Sequence, residues 1–257
     1  MLDQLQDALG PIDGRPTPLE GGITNRNYRA TLGKGEYVVR RHGSQTELLG
    51  IDREAERIAS EAAARLGIAP ELAAVVDGGL VTRYIACTAL SGAEIRARAP
   101  ELGRALRGFH DSGTRLPVRF WVPDLLERYA ATVAGRGGRL PDAYARTIAV
   151  ARRIAAALPS RPDRPCHNDL LPGNLIRAAD GGQIMIVDWE YAGMGHPLFD
   201  LGNLSVNNDF EDDDDERLLA AYASPAAPDD ATRASLKLMR VLSDAREAAW
   251  GVVQETI

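Results

Sequence analysis

Two polar turns, one of them directly after a short apolar strand, constrain this chain more than any other feature. The first runs from His167 to Asn174 and contains Asp169, and the second begins with Asp188. Asp and Asn beside Pro and Gly are ordinary turn residues, so one such motif alone predicts only a loop. Residues 183–187 indicate a short buried strand, and Asp188 stands at its C-terminal end, where it can face a cleft. We therefore interpret the two turns as parts of one site.

The residue types in these turns suit phosphoryl transfer from a metal-bound nucleotide. That reaction needs one carboxylate to orient and deprotonate the attacking hydroxyl, and an amide and a second carboxylate to hold Mg²⁺ against the phosphates. Asp169 is the predicted base, and Asn174 and Asp188 are the predicted metal ligands. Mg²⁺ prefers oxygen ligands and takes few carboxylates from the protein, which fits this set. His167 is expected to order the loop rather than to transfer protons.

The segment His-Asn-Asp-Leu-Leu-Pro-Gly-Asn, followed by Val-Asp-Trp-Glu-Tyr, resembles the choline/ethanolamine kinase branch of the aminoglycoside phosphotransferase-like families. The resemblance extends from Gly21 to about Gln254 and implies the α+β, two-lobed protein-kinase-like fold. It implies a nucleotide-binding lobe over residues 1–85, with an antiparallel sheet and one helix. Residues 86–257 would form a larger, mainly helical lobe for catalysis and substrate binding. Asn168 favours amino-alcohol kinases, because aminoglycoside and thiamine kinase-like proteins more often carry Gly there.

A glycine turn between two strands is predicted from Leu19 to Ala30. Glycines let the backbone approach phosphate oxygens, although a plain hairpin turn is the alternative. Together with the two polar turns, this segment favours a phosphate-covering loop. Its predicted contacts with the nucleotide are Gly21, Gly22, Thr24 and Asn25.

The strand Glu36–Arg41 places Val38 and Arg40 on one face, as a residue over adenine and a cation toward the phosphates. Guanidinium can clamp phosphate bidentately, and choline kinase-like proteins tend to use Arg here; the alternative is an exposed cation on an edge strand. The helix that follows should supply the carboxylate partner of Arg40. The family pattern favours Glu56, and Glu54 remains the alternative.

The hinge between the lobes is predicted at the end of the second of two strands around an Asp-Gly-Gly turn. Adenine is expected to bond backbone groups there. The residues concerned are Arg83, Tyr84 and Ile85.

The last segment, residues 231–257, predicts one helix that stops without Gly, Pro or a polar tail, so we expect a truncated C-terminus. By resemblance, Trp250 matches one aromatic residue of the family's amine pocket, and Glu247 stands where choline kinases can carry a second tryptophan. Aromatic faces hold quaternary ammonium groups, whereas carboxylates suit a primary amine or aminosugar. Each aromatic candidate could equally be a core residue. The predicted substrate-binding residues are Asp169, Trp189, Glu190, Tyr191 and Trp250.

Composition narrows the class of partner. The 257 residues carry a net charge of -6, which argues against nucleic acid as the main partner and suits a cationic small substrate. No apolar run approaches the ~20 residues that span a bilayer, so membrane insertion is not expected. Two cysteines offer no disulfide framework, which favours the cytoplasm. The acidic run Asp209–Glu216 is interpreted as a solvated loop before a helix at Arg217–Tyr222.

These features predict an enzyme that uses ATP and Mg²⁺ to phosphorylate a hydroxyl of an amino alcohol of the choline or ethanolamine type. A kinase of aminoglycosides, aminosugars or thiamine is the first alternative, since it would use the same machinery with a different pocket. A nucleotide-binding regulatory protein without turnover is the alternative from another class. The sequence leaves the acceptor and the oligomeric state open.

Overall fold

The computed structural model describes residues 1–20, 24–33, 35–179 and 182–256. Five antiparallel strands form one sheet in the N-terminal part, in the order β1-β2-β3-β5-β4. Gly21 and Gly22 of the predicted phosphate loop, between β1 and β2, lie outside the described residues. The strands are Ile12–Leu19 (β1), Arg26–Leu32 (β2), Gly35–Arg41 (β3), Leu72–Val76 (β4) and Gly79–Arg83 (β5).

Strand β3 separates two environments, as its alternating pattern predicts. Tyr37 and Val39 are buried in an apolar cluster beneath helix α1 (Leu2–Leu9), which contributes Leu5. Val38 and Arg40 point to the opposite face and line a cleft between the sheet and the helical part of the chain. The sheet therefore presents a cation to the cleft while its other face packs beneath α1.

Helix α2 (Arg53–Arg65) crosses from the sheet toward the helical part. Its N-terminus is capped by Asp52, whose carboxylate accepts from the backbone N–H of Ala55 at 2.8 Å. Small residues dominate its buried side, which lets the helix approach its neighbours closely. Glu56 is also on that side and is only 1% exposed. A carboxylate in this position requires a charged partner.

Seven further helices are described in the C-terminal part: Gly92–Ala97 (α3), Ala99–His110 (α4), Val122–Gly135 (α5), Tyr144–Ala157 (α6), Leu198–Asn207 (α7), Asp212–Ala223 (α8) and Asp230–Gln254 (α9). The mixed α+β class with an N-terminal antiparallel sheet is confirmed. Leu102, Leu106 and Phe109 of α4 are fully buried at helical spacing, which makes that helix central to the core. Every helix among the described residues is too short or too polar to cross a membrane.

The acidic run was misread as a solvated loop. Helix α8 begins at Asp212 rather than at Arg217, so four consecutive aspartates form its first turn, where negative charge suits the helix dipole. Asp215 is buried, accepts from Ser205 Oγ at 2.5 Å and pairs with Arg240 at 2.9 Å. The run therefore starts a helix and ties it to its neighbours.

Short strands hold the two polar turns. Cys87–Ala89 (β6), Leu175–Ala178 (β8) and Ile184–Ile186 (β9) form one small sheet, and Arg164–Cys166 (β7) pairs with Gly193–Gly195 (β10). The first turn connects β7 to β8, and the second connects β9 to β10. Because both ends of each turn are fixed in strands that pair with the other turn's strands, the two turns lie side by side.

Candidate active site

Asp200 of α7 braces the first turn from beneath. Its two carboxylate oxygens accept the backbone N–H groups of His167 at 2.8 Å and Asn168 at 2.7 Å, and His110 Nε2 lies 2.9 Å away. Burial alone raises the pKa of Asp200, but the hydrogen bond and charge of His110 and the His167 amide outweigh it, leaving the pKa below its usual value. A buried, ionised carboxylate thus fixes the backbone before Asp169.

Both nitrogens of the His167 ring contact backbone groups. Its Nε2 lies 3.0 Å from the carbonyl oxygen of Val187, and its Nδ1 accepts the N–H of Asp169 at 3.1 Å. A carbonyl only accepts and an amide only donates, so these partners assign the neutral ring with hydrogen on Nε2. His167 therefore links the two turns and orders the loop.

Asn168 has a left-handed backbone, with φ of 68°. Its side chain donates to the carbonyl of Tyr191 at 3.0 Å. Gly and Asn are the residues that adopt this conformation most readily. The backbone conformation alone accounts for an Asn at this position, so Asn168 carries little information on the acceptor.

Asp169 is buried and lies between an amide and a guanidinium. Its Oδ1 accepts from Arg246 Nη1 at 3.0 Å, and its Oδ2 lies 3.3 Å from Asn174 Nδ2. Asn174 Nδ2 also donates to the carbonyl of Asp169 at 2.8 Å, and no described residue donates to Asn174 Oδ1. This amide orientation leaves an oxygen free to bind a cation.

Asp188 faces Asn174 from the second turn. A backbone hydrogen bond from Val187 N–H to the carbonyl of Asn174, at 3.0 Å, holds the two turns together. Asp188 has φ of 65°, and only one of its carboxylate oxygens is engaged by a described residue. One amide oxygen and one carboxylate oxygen form a donor set that fits a hard divalent cation such as Mg²⁺.

Arg40 of strand β3 contacts the carboxylate of Asp188. Its Nη1 lies 2.7 Å from Asp188 Oδ1 and 2.8 Å from Glu56 Oε1. Burial lowers the pKa of Arg40, but the charges of Asp188 and Glu56 outweigh it and raise the pKa above its usual value. Glu54 instead pairs with Arg57 on the exposed side of α2. The structure thus settles which glutamate contacts Arg40.

Asn25 is part of a polar network rather than a free donor. Its Nδ2 donates to Glu190 Oε2 at 2.7 Å, and its Oδ1 accepts from Arg53 Nη2 at 3.2 Å. Arg53 also bonds Glu56 at 2.7 Å and Glu190 at 3.3 Å. Burial, followed by the charge of Asp188, raises the pKa of Glu190 to about 7. The side-chain amide of Asn25 is therefore engaged with Glu190 and Arg53, and its contact with the nucleotide stays a prediction.

The cleft that contains these groups has a volume of about 730 Å³ and is lined by Thr24, Val38, Arg40 and residues 83–85, where the hinge is predicted. The N–H groups of Arg83 and Tyr84 already donate to the carbonyls of Glu71 at 2.8 Å and Glu36 at 3.0 Å. Among described residues, the N–H of Ile85 has no partner. A second cavity of similar volume, on the sheet face beneath α1, contains none of the predicted site residues.

The aromatic candidates differ in what their rings contact. Trp189 is 3% exposed, and its ring lies 4.5 Å from Phe109 and 4.6 Å from His167, centroid to centroid, so it packs in the core. The hydroxyl of Tyr191 accepts from Trp250 Nε1 at 2.7 Å. Trp250 itself is half-buried and lines the cleft.

Arg246 and Arg53 are site residues that the sequence reasoning missed. Arg246 lies on the buried stripe of α9, with Met239, Leu242 and Val253 at helical spacing. An arginine within an otherwise apolar stripe is the signal that could have identified it, because arginine is buried only where it is paired. Arg53 offers no comparable signal, since it stands in the exposed-looking first turn of α2.

A small antiparallel sheet and a helical part that enclose such a cleft define a kinase-like fold with a phosphotransferase site. Residues 15–238 match the Phosphotransferase enzyme family (APH), and the chain belongs to this family. The predicted membership is thereby confirmed.

Several proteins similar to this chain are named as kinases of amino alcohols. Ethanolamine kinase 2 of Mus musculus is 29% identical over 219 residues, which are 79% of this chain and 56% of that protein. A choline/ethanolamine kinase family protein from Mesorhizobium loti is 31% identical, with a TM-score of 0.79 over 98% of this chain and 86% of that chain. LicA in complex with AMP is 25% identical, with a TM-score of 0.77 over 95% of this chain and 84% of that chain. The chain spans little more than half the length of the mammalian ethanolamine kinases that it matches.

Proposed function

We propose that this chain is an ATP-dependent kinase that phosphorylates the hydroxyl of a small amino alcohol of the ethanolamine or choline type. One observation carries the proposal: Asp169, Asn174 and Asp188 meet in one cleft opposite the Arg40–Glu56 ion pair. The names of the relatives support the acceptor class. The AMP complex of LicA supports the use of a nucleotide.

Asp169 is the proposed base. As the acceptor oxygen forms its bond to the γ-phosphorus, the hydroxyl proton passes to an Asp169 carboxylate oxygen, and ADP leaves with the electrons of the broken P–O bond. Asp169 is suited to this step because Arg246 and Asn174 hold its carboxylate in one orientation. Asp200 contributes indirectly by fixing the backbone that carries it.

Asn174 and Asp188 would hold Mg²⁺, which neutralises phosphate charge and positions the nucleotide when bound. Arg40 would clamp the phosphates, and Glu56 would fix its direction. The Gly21-Gly22 segment with Thr24 would cover the phosphates, a role that comes from the sequence alone.

The nucleotide would lie between an N-terminal lobe of residues 1–85 and a catalytic lobe of residues 86–257. Val38 would contact the adenine face from β3. The N–H of Ile85 is the proposed adenine donor in the hinge, since those of Arg83 and Tyr84 already have carbonyl partners.

The direct test is ADP release with Mg-ATP and a panel of acceptors: choline, ethanolamine, thiamine, glucosamine and an aminoglycoside. Turnover with an amino alcohol, and its loss in Asp169→Asn, is the expected result. Turnover confined to thiamine or to an aminoglycoside would place the chain with another acceptor class. Mg-ATP binding without turnover on any acceptor would instead favour a nucleotide-binding regulatory protein.

A further inference from the structure

Arg246 is a buried cation at the acceptor end of the cleft. It is 2% exposed, and its Nη1 lies 3.0 Å from Asp169 Oδ1 and 2.5 Å from Glu247 Oε1. Its Cζ stands 4.3 Å from the centroid of the Tyr191 ring. A buried guanidinium needs paired charges, and these two carboxylates with the aromatic face supply them. The arrangement is therefore a fixed part of the pocket wall.

The guanidinium removes one aromatic face from ligand binding. The Tyr191 face that Arg246 covers cannot also receive the cation of a substrate. Tyr84, at the other end of the cleft, is covered in the same way by Arg29, whose Cζ is 4.0 Å from its ring centroid. Trp189 packs in the core. Of the aromatic residues that line the described part of the cleft, Trp250 is the one without a cation or a core ring against it.

Glu247 offers the pocket a carboxylate instead. Its side chain is 31% exposed and lines the cleft on α9, next to Arg246. Arg246 engages its Oε1, and no described residue donates to its Oε2. A fixed carboxylate oxygen at the edge of a cleft is a hydrogen-bond acceptor for an ammonium that carries N–H groups.

We propose that the Arg246–Glu247 pair sets the acceptor specificity in favour of ammonium groups that carry N–H over quaternary ones. This inference rests on the proposed function and deepens it. Arg246 is a positioning residue that withdraws Tyr191 from amine recognition and holds Glu247 at the cleft. Glu247 accepts an N–H of the substrate ammonium, with the Trp250 ring as the remaining apolar contact. A quaternary ammonium has no N–H to donate and needs several aromatic faces, which this pocket does not present in its described residues.

A methylation series tests the inference: ethanolamine, its N-methyl and N,N-dimethyl derivatives, and choline. We expect kcat/KM to fall along the series, by about 10-fold or more in total, with the largest step where the last N–H is lost. The change should appear mainly in KM, because the ammonium lies away from the reacting oxygen. Choline used as well as or better than ethanolamine would overturn the inference while leaving the kinase activity intact.

Substitutions of Glu247 and Arg246 test whether these residues cause the discrimination between the amines. Glu247→Gln should raise the KM for ethanolamine about 10-fold and flatten the series, because a neutral amide binds an ammonium more weakly than a carboxylate does. Asp244→Asn, at an exposed carboxylate of the same helix, is the matched control and should leave the series unchanged. If kcat/KM falls along the methylation series as steeply in Glu247→Gln as in the wild type, the inference is overturned. Arg246→Lys should retain the discrimination better than Arg246→Met, which uncovers the Tyr191 ring.

Calorimetric titration of the same four amines, without turnover, separates the two proposals. Ethanolamine binding more tightly than choline supports the inference even where no phosphorylation is found. Equal binding, or tighter binding of choline, overturns it. Absence of turnover with every amino alcohol in the first assay would count against the proposed function alone.

Discussion

Arg40 Nη1 lies 2.7 Å from Asp188 Oδ1, and this contact joins the N-terminal sheet to the turn that follows β9. The same nitrogen holds Glu56, so one guanidinium bridges strand β3, helix α2 and the proposed metal ligand. Phosphates and a cation at the proposed site would lie next to Arg40 and Asp188. At the proposed site, this contact would link nucleotide binding to the relative position of the sheet and the second turn.

Arg40→Ala is expected to raise the KM for Mg-ATP and to lower kcat/KM about 10- to 100-fold, the effect of losing a charged hydrogen bond of about 1.5–3 kcal/mol. Arg40→Lys should retain part of the activity, because it keeps the charge but not the planar fork. Arg41→Ala is the matched control, since Arg41 is exposed on the opposite face of β3. Steady-state kinetics with varied Mg-ATP measure the effect. An Arg40→Ala enzyme with wild-type KM and kcat would remove Arg40 from the nucleotide site.

Asp169→Asn is expected to lower kcat by about 10²- to 10⁴-fold, because the amide cannot accept the hydroxyl proton. The substitution preserves shape, so Mg-ATP binding by calorimetry should persist. Asp142→Asn, at a fully exposed carboxylate, is the control and should have wild-type turnover. Substantial turnover by Asp169→Asn would leave Asp169 as an orienting group and not the base.

The sequence could predict those parts of the site that depend on local pattern. Strand periodicity placed Arg40 on the cleft side. The family pattern favoured Glu56 over Glu54 as its partner, and the contact with Glu56 is observed. The two turns were assigned to one site because Asp188 directly follows a short apolar strand and the residue types of both turns suit one reaction. The sequence also predicts helices over residues 101–110, 121–134 and 143–157. The bounds of α4, α5 and α6 differ from these by one or two residues, within the usual uncertainty of helix ends.

Contacts between distant segments could not be predicted. Arg246 is 77 residues from Asp169 along the chain, and Asn25 is 165 residues from Glu190. No local pattern specifies such partners, because they depend on how α9 and the N-terminal sheet pack against the turns. The prediction of a solvated loop for the acidic run was wrong for a related reason. The sequence around Asp215 is highly charged and suggests exposure, but α7 and α9 bury this side chain. Trp189 shows the same ambiguity, as an aromatic residue beside a site that packs into the core.

The left-handed backbone at Asn168 gives a prediction on stability. Asn168→Gly loses the side-chain hydrogen bond to Tyr191 but keeps the conformation, whereas Asn168→Ala loses the bond and adds steric strain at φ of 68°. We expect the free energy of unfolding of Asn168→Ala to be about 1 kcal/mol lower than that of Asn168→Gly. Urea denaturation of the two variants measures this difference. Equal stabilities would show that the backbone relaxes out of the left-handed region.

Buried His196 should make the folded protein less stable as the pH falls. Burial, followed by the charge of Arg161, lowers the pKa of His196 to about 4, against about 6.5 in an unfolded chain. Between these two values the unfolded chain binds a proton that the folded chain excludes, so the stability contributed by neutral His196 is complete above about pH 6.5 and is lost as the pH falls toward 4.

From pH 7.5 to pH 5 this one residue should lower the free energy of unfolding by about 2 kcal/mol. His196→Asn removes the titration and retains a side-chain oxygen for the N–H of Leu198, which His196 Nδ1 accepts at 3.2 Å. The variant should therefore lose less stability than the wild type over this range, in urea denaturation at pH 7.5, 6 and 5. Carboxylates titrate in both proteins and cancel in the comparison. If the two curves stay parallel between pH 7.5 and pH 5, His196 takes up its proton in the folded state, and the ring must then have access to water that the buried position denies it.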